Sequence, residues 1–146
     1  MKTKLITLLS LITAVAFAHE GVELGPNKGR ILEFSKNESM HGEVTVKGDK
    51  FHIALLDKDM KPVAMTEQAL TATTGDRDKP VKLVVEKDAK GFVVPVVKAG
   101  EWLILQYKDT AKAKAITARL EYNTTTCEEC KKAEWLCECK PAAEKK

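Results

Sequence analysis

Glu43-Val44-Thr45-Val46-Lys47-Gly48-Asp49-Lys50-Phe51-His52-Ile53-Ala54-Leu55-Leu56-Asp57 is the stretch that decides the fold class of this chain. Val44 and Val46 alternate with Glu43, Thr45 and Lys47, and Phe51, Ile53 and Leu55 alternate with His52 and Ala54. A period of two places successive side chains on opposite faces of an extended strand. Gly48-Asp49 between the two runs is the chemistry of a two-residue hairpin turn. That turn sets the register: Val46 opposite Phe51, Thr45 opposite His52, and His41 opposite Leu56.

The same alternation runs outward from about Gly29 to Asn123. Val81, Leu83 and Val85 alternate with Lys82 and Glu86, and Ile116, Ala118, Leu120 and Tyr122 alternate with Thr117, Arg119 and Glu121. Phe92 to Val97 and Trp102 to Tyr107 are apolar on both faces and predict central strands covered twice. Turn residues punctuate the runs at Asp57-Lys58-Asp59, Pro62, Gly75-Asp76, Lys90-Gly91 and Ala99-Gly100. Seven or eight short strands with no long amphipathic helix before residue 124 predict an all-β protein. The expected form is an antiparallel β-sandwich of immunoglobulin-like architecture, with a small β-barrel as the alternative.

The two ends differ from this body. Lys2 and Lys4 precede an uncharged run from Leu5 to Phe17, and Ala16-Phe17-Ala18 supplies small residues at a cleavage site. This is the pattern of a secretory signal peptide cleaved after Ala18. The run is shorter than the roughly 20 residues a membrane span needs. The expected division is a signal peptide over 1–18, a flexible mature N-terminus over 19–28, a sandwich over 29–123, and a Cys-rich tail over 124–146 with a disordered end. The protein is then periplasmic or secreted, and not membrane-spanning once the signal is removed.

The full chain of 146 residues carries a formal charge of +3, of which Lys2 and Lys4 supply two charges. A near-neutral mature chain lacks the basic surplus that phosphate binding requires, which argues against nucleic acid as a partner. No Cys stands at the cleavage point, which argues against a lipid anchor. Enzyme signatures are absent too: there is no Gly-rich phosphate loop, no Gly-x-Ser-x-Gly and no His-Glu-x-x-His. A binding or structural role is expected, without catalysis.

All four cysteines fall in the tail, as Cys127-x2-Cys130-x6-Cys137-x-Cys139. Four thiolates suit Zn(II) or a softer ion such as Cu(I). A straight helix would hold Cys130 and Cys137 about 10 Å apart, so one shared site requires the chain to fold back between them. Two disulfides are the competing reading, with three possible connectivities in an oxidising compartment. A third is a redox pair at Cys127 and Cys130, which lacks the βαβ context of a thioredoxin. Trp135, beside Cys137, is expected to dock the tail onto the sandwich.

Cleavage after Ala18 would make His19 the first residue, with an α-amine and a ring nitrogen that together chelate Cu(II). Completing that site needs a second donor. In the predicted register His41, Glu43 and His52 share the wet face, but His41 lies about 13 Å from the His52 rung. Glu43, diagonal to His52 at about 7 Å, is the nearer partner. His19, His52 and Glu43 therefore form a second candidate set, against the reading that the histidines are ordinary surface residues.

His19-Glu20-Gly21, then Gly25-Pro26-Asn27-Lys28-Gly29-Arg30 through Phe34, resembles the opening of a family of exported domains. These occur alone or at the N-terminus of periplasmic adaptor subunits of heavy-metal efflux pumps. Phe51 to Asp57 and Lys61-Pro62-Val63 are similar to the next part of those domains. Asn27-Lys28 replaces a His-Gly of the family's opening, removing one potential ligand, and the adaptor's coiled-coil and lipoyl-like parts are missing. The resemblance implies a stand-alone, metal-handling relative of the accessory domain, with a metal ion or a metal-efflux component as its partner.

Overall fold

A computed structural model describes residues 22–139 of the chain. The signal-peptide expectation for residues 1–18, His19, and the expected disordered end beyond Cys139 lie outside the described residues. Among the described residues nine strands form: β1 (Arg30–Glu33), β2 (Met40–Lys47), β3 (Lys50–Asp57), β4 (Ala69–Thr74), β5 (Val81–Leu83), β6 (Glu86–Lys87), β7 (Gly91–Pro95), β8 (Trp102–Lys108) and β9 (Ile116–Glu121). They make two antiparallel sheets, ordered β1-β2-β3-β7-β6 and β5-β4-β8-β9, which pack as a sandwich. Among the described residues no helix is long and apolar enough to cross a membrane.

The β2–β3 hairpin has the register its turn dictates, with Val46 opposite Phe51, Thr45 opposite His52 and His41 opposite Leu56. Gly48 takes φ of +61°, a conformation that costs glycine little. The alternating residues then point inward. Val44, Phe51, Ile53, Leu55, Phe92 and Val94 of the first sheet meet Leu70, Ala72, Leu103, Leu105 and Leu120 of the second. Each large side chain buried here contributes about 1.5–3 kcal/mol by leaving water. Phe34 stacks on Tyr107 across the core at 4.8 Å between ring centroids, and the tight passage of its ring over β2 requires glycine at Gly42, where a Cβ would stand 2.4 Å from it.

Three expectations need correction. β8 is central in its sheet, yet only one of its faces is covered: Trp102 is 47% exposed and Gln106 is exposed. The run Val81 to Glu86 is not one strand. The chain leaves β5 in one sheet and enters β6 in the other, leaving Val84 71% exposed at the crossing.

The third concerns the outer face of β2 and β3, which is not wholly wet. His41 and Glu43 are buried: the turn ahead of β1 folds over Glu43, and Glu33 of β1 pairs with His41. From Val22 onward the segment expected as a flexible lead is hydrogen-bonded. Leu24 bridges Arg30, Gly25 and Gly29 close a turn, and Ile31 N–H donates to the Glu23 carbonyl.

Candidate metal centre

The tail begins where β9 ends. Asn123 and Thr125 accept backbone hydrogen bonds from Trp135 and Glu134, and Thr126 pairs with Ala133. The chain therefore doubles back within Cys127 to Ala133. Lys131, just after Cys130, takes φ of +60°, and its N–H donates to the Cys127 carbonyl at 3.0 Å. Cys127 N–H donates to the Lys132 carbonyl at 2.8 Å. A single 3-10 turn, Glu134–Leu136, then delivers Cys137 back to the first pair.

This reversal brings all four sulfurs together. Cys127 Sγ lies 3.4 Å from Cys137 Sγ and 3.8 Å from Cys139 Sγ, and Cys130 Sγ lies 3.7 Å from Cys137 Sγ. All four fall within 4.8 Å of one another. These separations exceed the 2.05 Å of a disulfide by a wide margin, and all four thiols are free. Four sulfurs at about 2.3 Å from one tetrahedral ion are about 3.8 Å apart. The residues present thus fit a single four-coordinate ion with small adjustments.

Backbone donors are aimed at the first cysteine of each pair. The N–H groups of Cys130 and Glu129 reach the Cys127 sulfur and, with the Cys137 thiol, lower its pKa to about 7. The Cys139 N–H reaches the Cys137 sulfur, but burial and the neighbouring thiols carry Cys137 above the usual thiol value. Cys139 is raised further, first by its contact with Cys137 and then by burial, with the Glu129 carboxylate adding to the effect. Lys132 forms an ion pair with Glu138, which raises its pKa, and the nearby Cys130 and Cys137 sulfurs raise it further. Its ammonium thus offsets part of the negative charge that four thiolates would bring.

Trp135 docks the tail, as the sequence predicts. It is 5% exposed and meets the rings of Phe51 and Tyr122 edge-on at 6.3 and 5.4 Å. Val22 N–H donates to the Cys137 carbonyl at 2.8 Å, and the Arg30 guanidinium reaches the Trp135 carbonyl. The segment before β1 therefore holds the tail from its other side.

Of the second candidate set, His19 lies outside the described residues, and Glu43 is engaged elsewhere. Glu43 is 1% exposed, and its carboxylate accepts from Asn27 N, Asn27 Nδ2 and Gly29 N at 2.7, 2.8 and 3.0 Å. It clasps the turn ahead of β1. His41 Nδ1 is 2.8 Å from Glu33 Oε1. His52 lines a cleft of about 460 Å3 together with Glu43 and Asp88 as well as Lys47 and Lys90, so the charges around it are balanced. Among the described residues, Glu43 and His52 join no cluster of three or more potential ligands, and the tail cysteines form such a cluster.

Spacing alone signalled the four sulfurs. It could not reveal the N–H donors of Glu129, Cys130 and Cys139, because backbone groups carry no sequence signature. The left-handed Lys131 is equally silent, since glycine or asparagine would be the usual sign. Compared with protein-family models, curated proteins and solved structures, the chain matches none.

Proposed function

We propose that this chain is an exported, periplasmic protein that binds one Zn(II) ion through Cys127, Cys130, Cys137 and Cys139 and serves in heavy-metal handling. The observation that carries the reading is the approach of four free sulfurs to within 4.8 Å of one another. A tetrahedral all-sulfur donor set favours zinc, and Cu(I) is the other ion that thiolates select. Export is supported by the basic start, the short apolar run and the Ala16-Phe17-Ala18 site. Metal handling is further supported by the resemblance of residues 19–63 to accessory domains of heavy-metal efflux adaptors. The missing catalytic signatures favour a binding protein over an enzyme.

A bound ion supplies four metal–sulfur bonds that close the tail on itself. The chain's own groups do the rest. Backbone N–H donors stabilise the charge on Cys127 and Cys137, Lys132 offsets charge beside Cys130 and Cys137, and Trp135 seats the assembly on the sandwich. Since 13 residues have almost no core of their own, metal binding adds to the docking of Trp135 in ordering the tail, and the two are coupled.

A second reading, favoured by the burial of Trp135, makes the ion a staple that presents the tail to a protein partner. Metal analysis of protein purified under reducing conditions tests the binding claim. About one zinc per chain, lost on Cys127→Ser, supports it; absence of metal after zinc reconstitution overturns it. Retention of that zinc through prolonged incubation with a competing dithiol would favour the staple.

A further inference from the structure

The four cysteines are not equivalent. Cys127 and Cys137 are 6% and 3% exposed, whereas Cys130 and Cys139 are only half-buried. The buried pair is also fixed in place. Cys127 donates to Lys132 and accepts from Lys131, and Cys137 donates to Glu134 and accepts from Val22. Their sulfurs receive the backbone N–H donors of Cys130, Glu129 and Cys139. Each pair therefore contributes one anchored, buried inner cysteine and one outer cysteine that is only half-buried.

Resting on the reading that these thiols hold a zinc ion, we propose that the ion is passed to a dithiol acceptor by ligand exchange at the outer pair, Cys139 and Cys130. A soft acceptor is required, because hard oxygen donors compete poorly for an ion held by four thiolates. The step balances without any redox change. An acceptor thiol gives up its proton as its sulfur bonds to zinc; the zinc–sulfur bond to Cys139 breaks, and that sulfur takes up a proton. The Glu129 carboxylate stands within hydrogen-bonding reach of Cys139 Sγ and accepts from the departing thiol. Repeating the exchange at Cys130 leaves the ion on two acceptor sulfurs and two inner ones. Transfer is complete when the bonds to Cys127 and Cys137 break in turn. A second acceptor dithiol gives up its two protons as its sulfurs bond to zinc, and the two inner sulfurs take protons up. The inner pair keeps the tail folded until the acceptor has hold of the ion.

The test uses the zinc-loaded mature chain and a synthetic Cys-x-x-Cys peptide as acceptor. The transfer rate is expected to rise in proportion to peptide concentration, and to increase about tenfold in Cys139→Ser. A rate independent of peptide concentration overturns the proposal. Because a serine variant can lose zinc outright, limited N-ethylmaleimide labelling of the zinc-loaded wild-type protein gives a second reading. Cys130 and Cys139 are expected to be modified first; even labelling, or earlier modification of Cys127 or Cys137, overturns the inference while leaving zinc binding intact. If the wild-type chain takes up no zinc, both readings fall together.

Discussion

Cys127 Sγ stands 3.4 Å from Cys137 Sγ, although ten positions separate the two residues in the chain. The contact joins the two halves of the tail through their buried members, and each of these sulfurs receives N–H donors from its own short loop. The first loop prepares a thiolate: Cys127 sits at about 7, while Cys137 and Cys139 are held above the ordinary thiol range.

These shifts set the pH dependence of metal binding. Near pH 7 Cys127 is half ionised, whereas Cys137 and Cys139 still carry protons that a metal must displace. Binding by four thiolates at pH 7 is expected to release between about three and four protons, so affinity falls several thousandfold from pH 7 to pH 6. Calorimetry in buffers of different ionisation enthalpy measures the release directly. Uptake without proton release would contradict thiol ligation.

Removing Glu43 or His52 should leave metal binding untouched. Glu43→Ala strands the buried N–H of Gly29 and unties the part-buried N–H of Asn27, and is expected to destabilise the fold by about 2 kcal/mol. His52→Ala, on a partly open face, is expected to change stability by less than about 0.5 kcal/mol. Denaturation curves and metal content, measured on the same preparations, check both statements.

Much of this was legible in the chain, and the limit was physical. Gly48-Asp49 and the alternation around it dictate the hairpin register residue by residue, because a one-residue slip would expose either Val44 or both Phe51 and Ile53. The approach of the four cysteines follows from spacing once the chain must turn back. The covering of Glu43 was not legible: it depends on the turn holding Asn27 and Gly29 folding against β2, and local periodicity is blind to what lies on a face. The split of Val81 to Glu86 between sheets escaped for a related reason, since alternation survives a crossing that changes its partner.

Trp135 should report on the metal. Its ring is enclosed by Phe51 and Tyr122, while Trp102 is half exposed. In a Trp102→Phe background, chelation is expected to shift Trp135 emission to the red as the tail undocks. Trp135→Ala is expected to weaken zinc binding about tenfold, equivalent to about 1.4 kcal/mol. Emission that ignores chelation would separate docking from metal.

Asp57 offers a prediction independent of the tail. Its carboxylate accepts from the N–H groups of Lys61 and Asp59 at 2.9 and 2.8 Å, and chiefly the Lys61 bond holds its pKa below the ordinary 3.8. A depressed carboxylate stabilises the fold above its unfolded pKa, and the effect is lost as pH falls through the folded value. Asp57→Ala should therefore lower the melting temperature at pH 7, with the difference shrinking below about pH 4.

X-ray absorption at the zinc edge addresses the central claim most directly. For the reduced, zinc-reconstituted protein, four sulfur neighbours at about 2.3 Å, with no nitrogen or oxygen in the first shell, are expected. Two or fewer sulfurs, or a shell dominated by nitrogen and oxygen, would contradict a site built from Cys127, Cys130, Cys137 and Cys139.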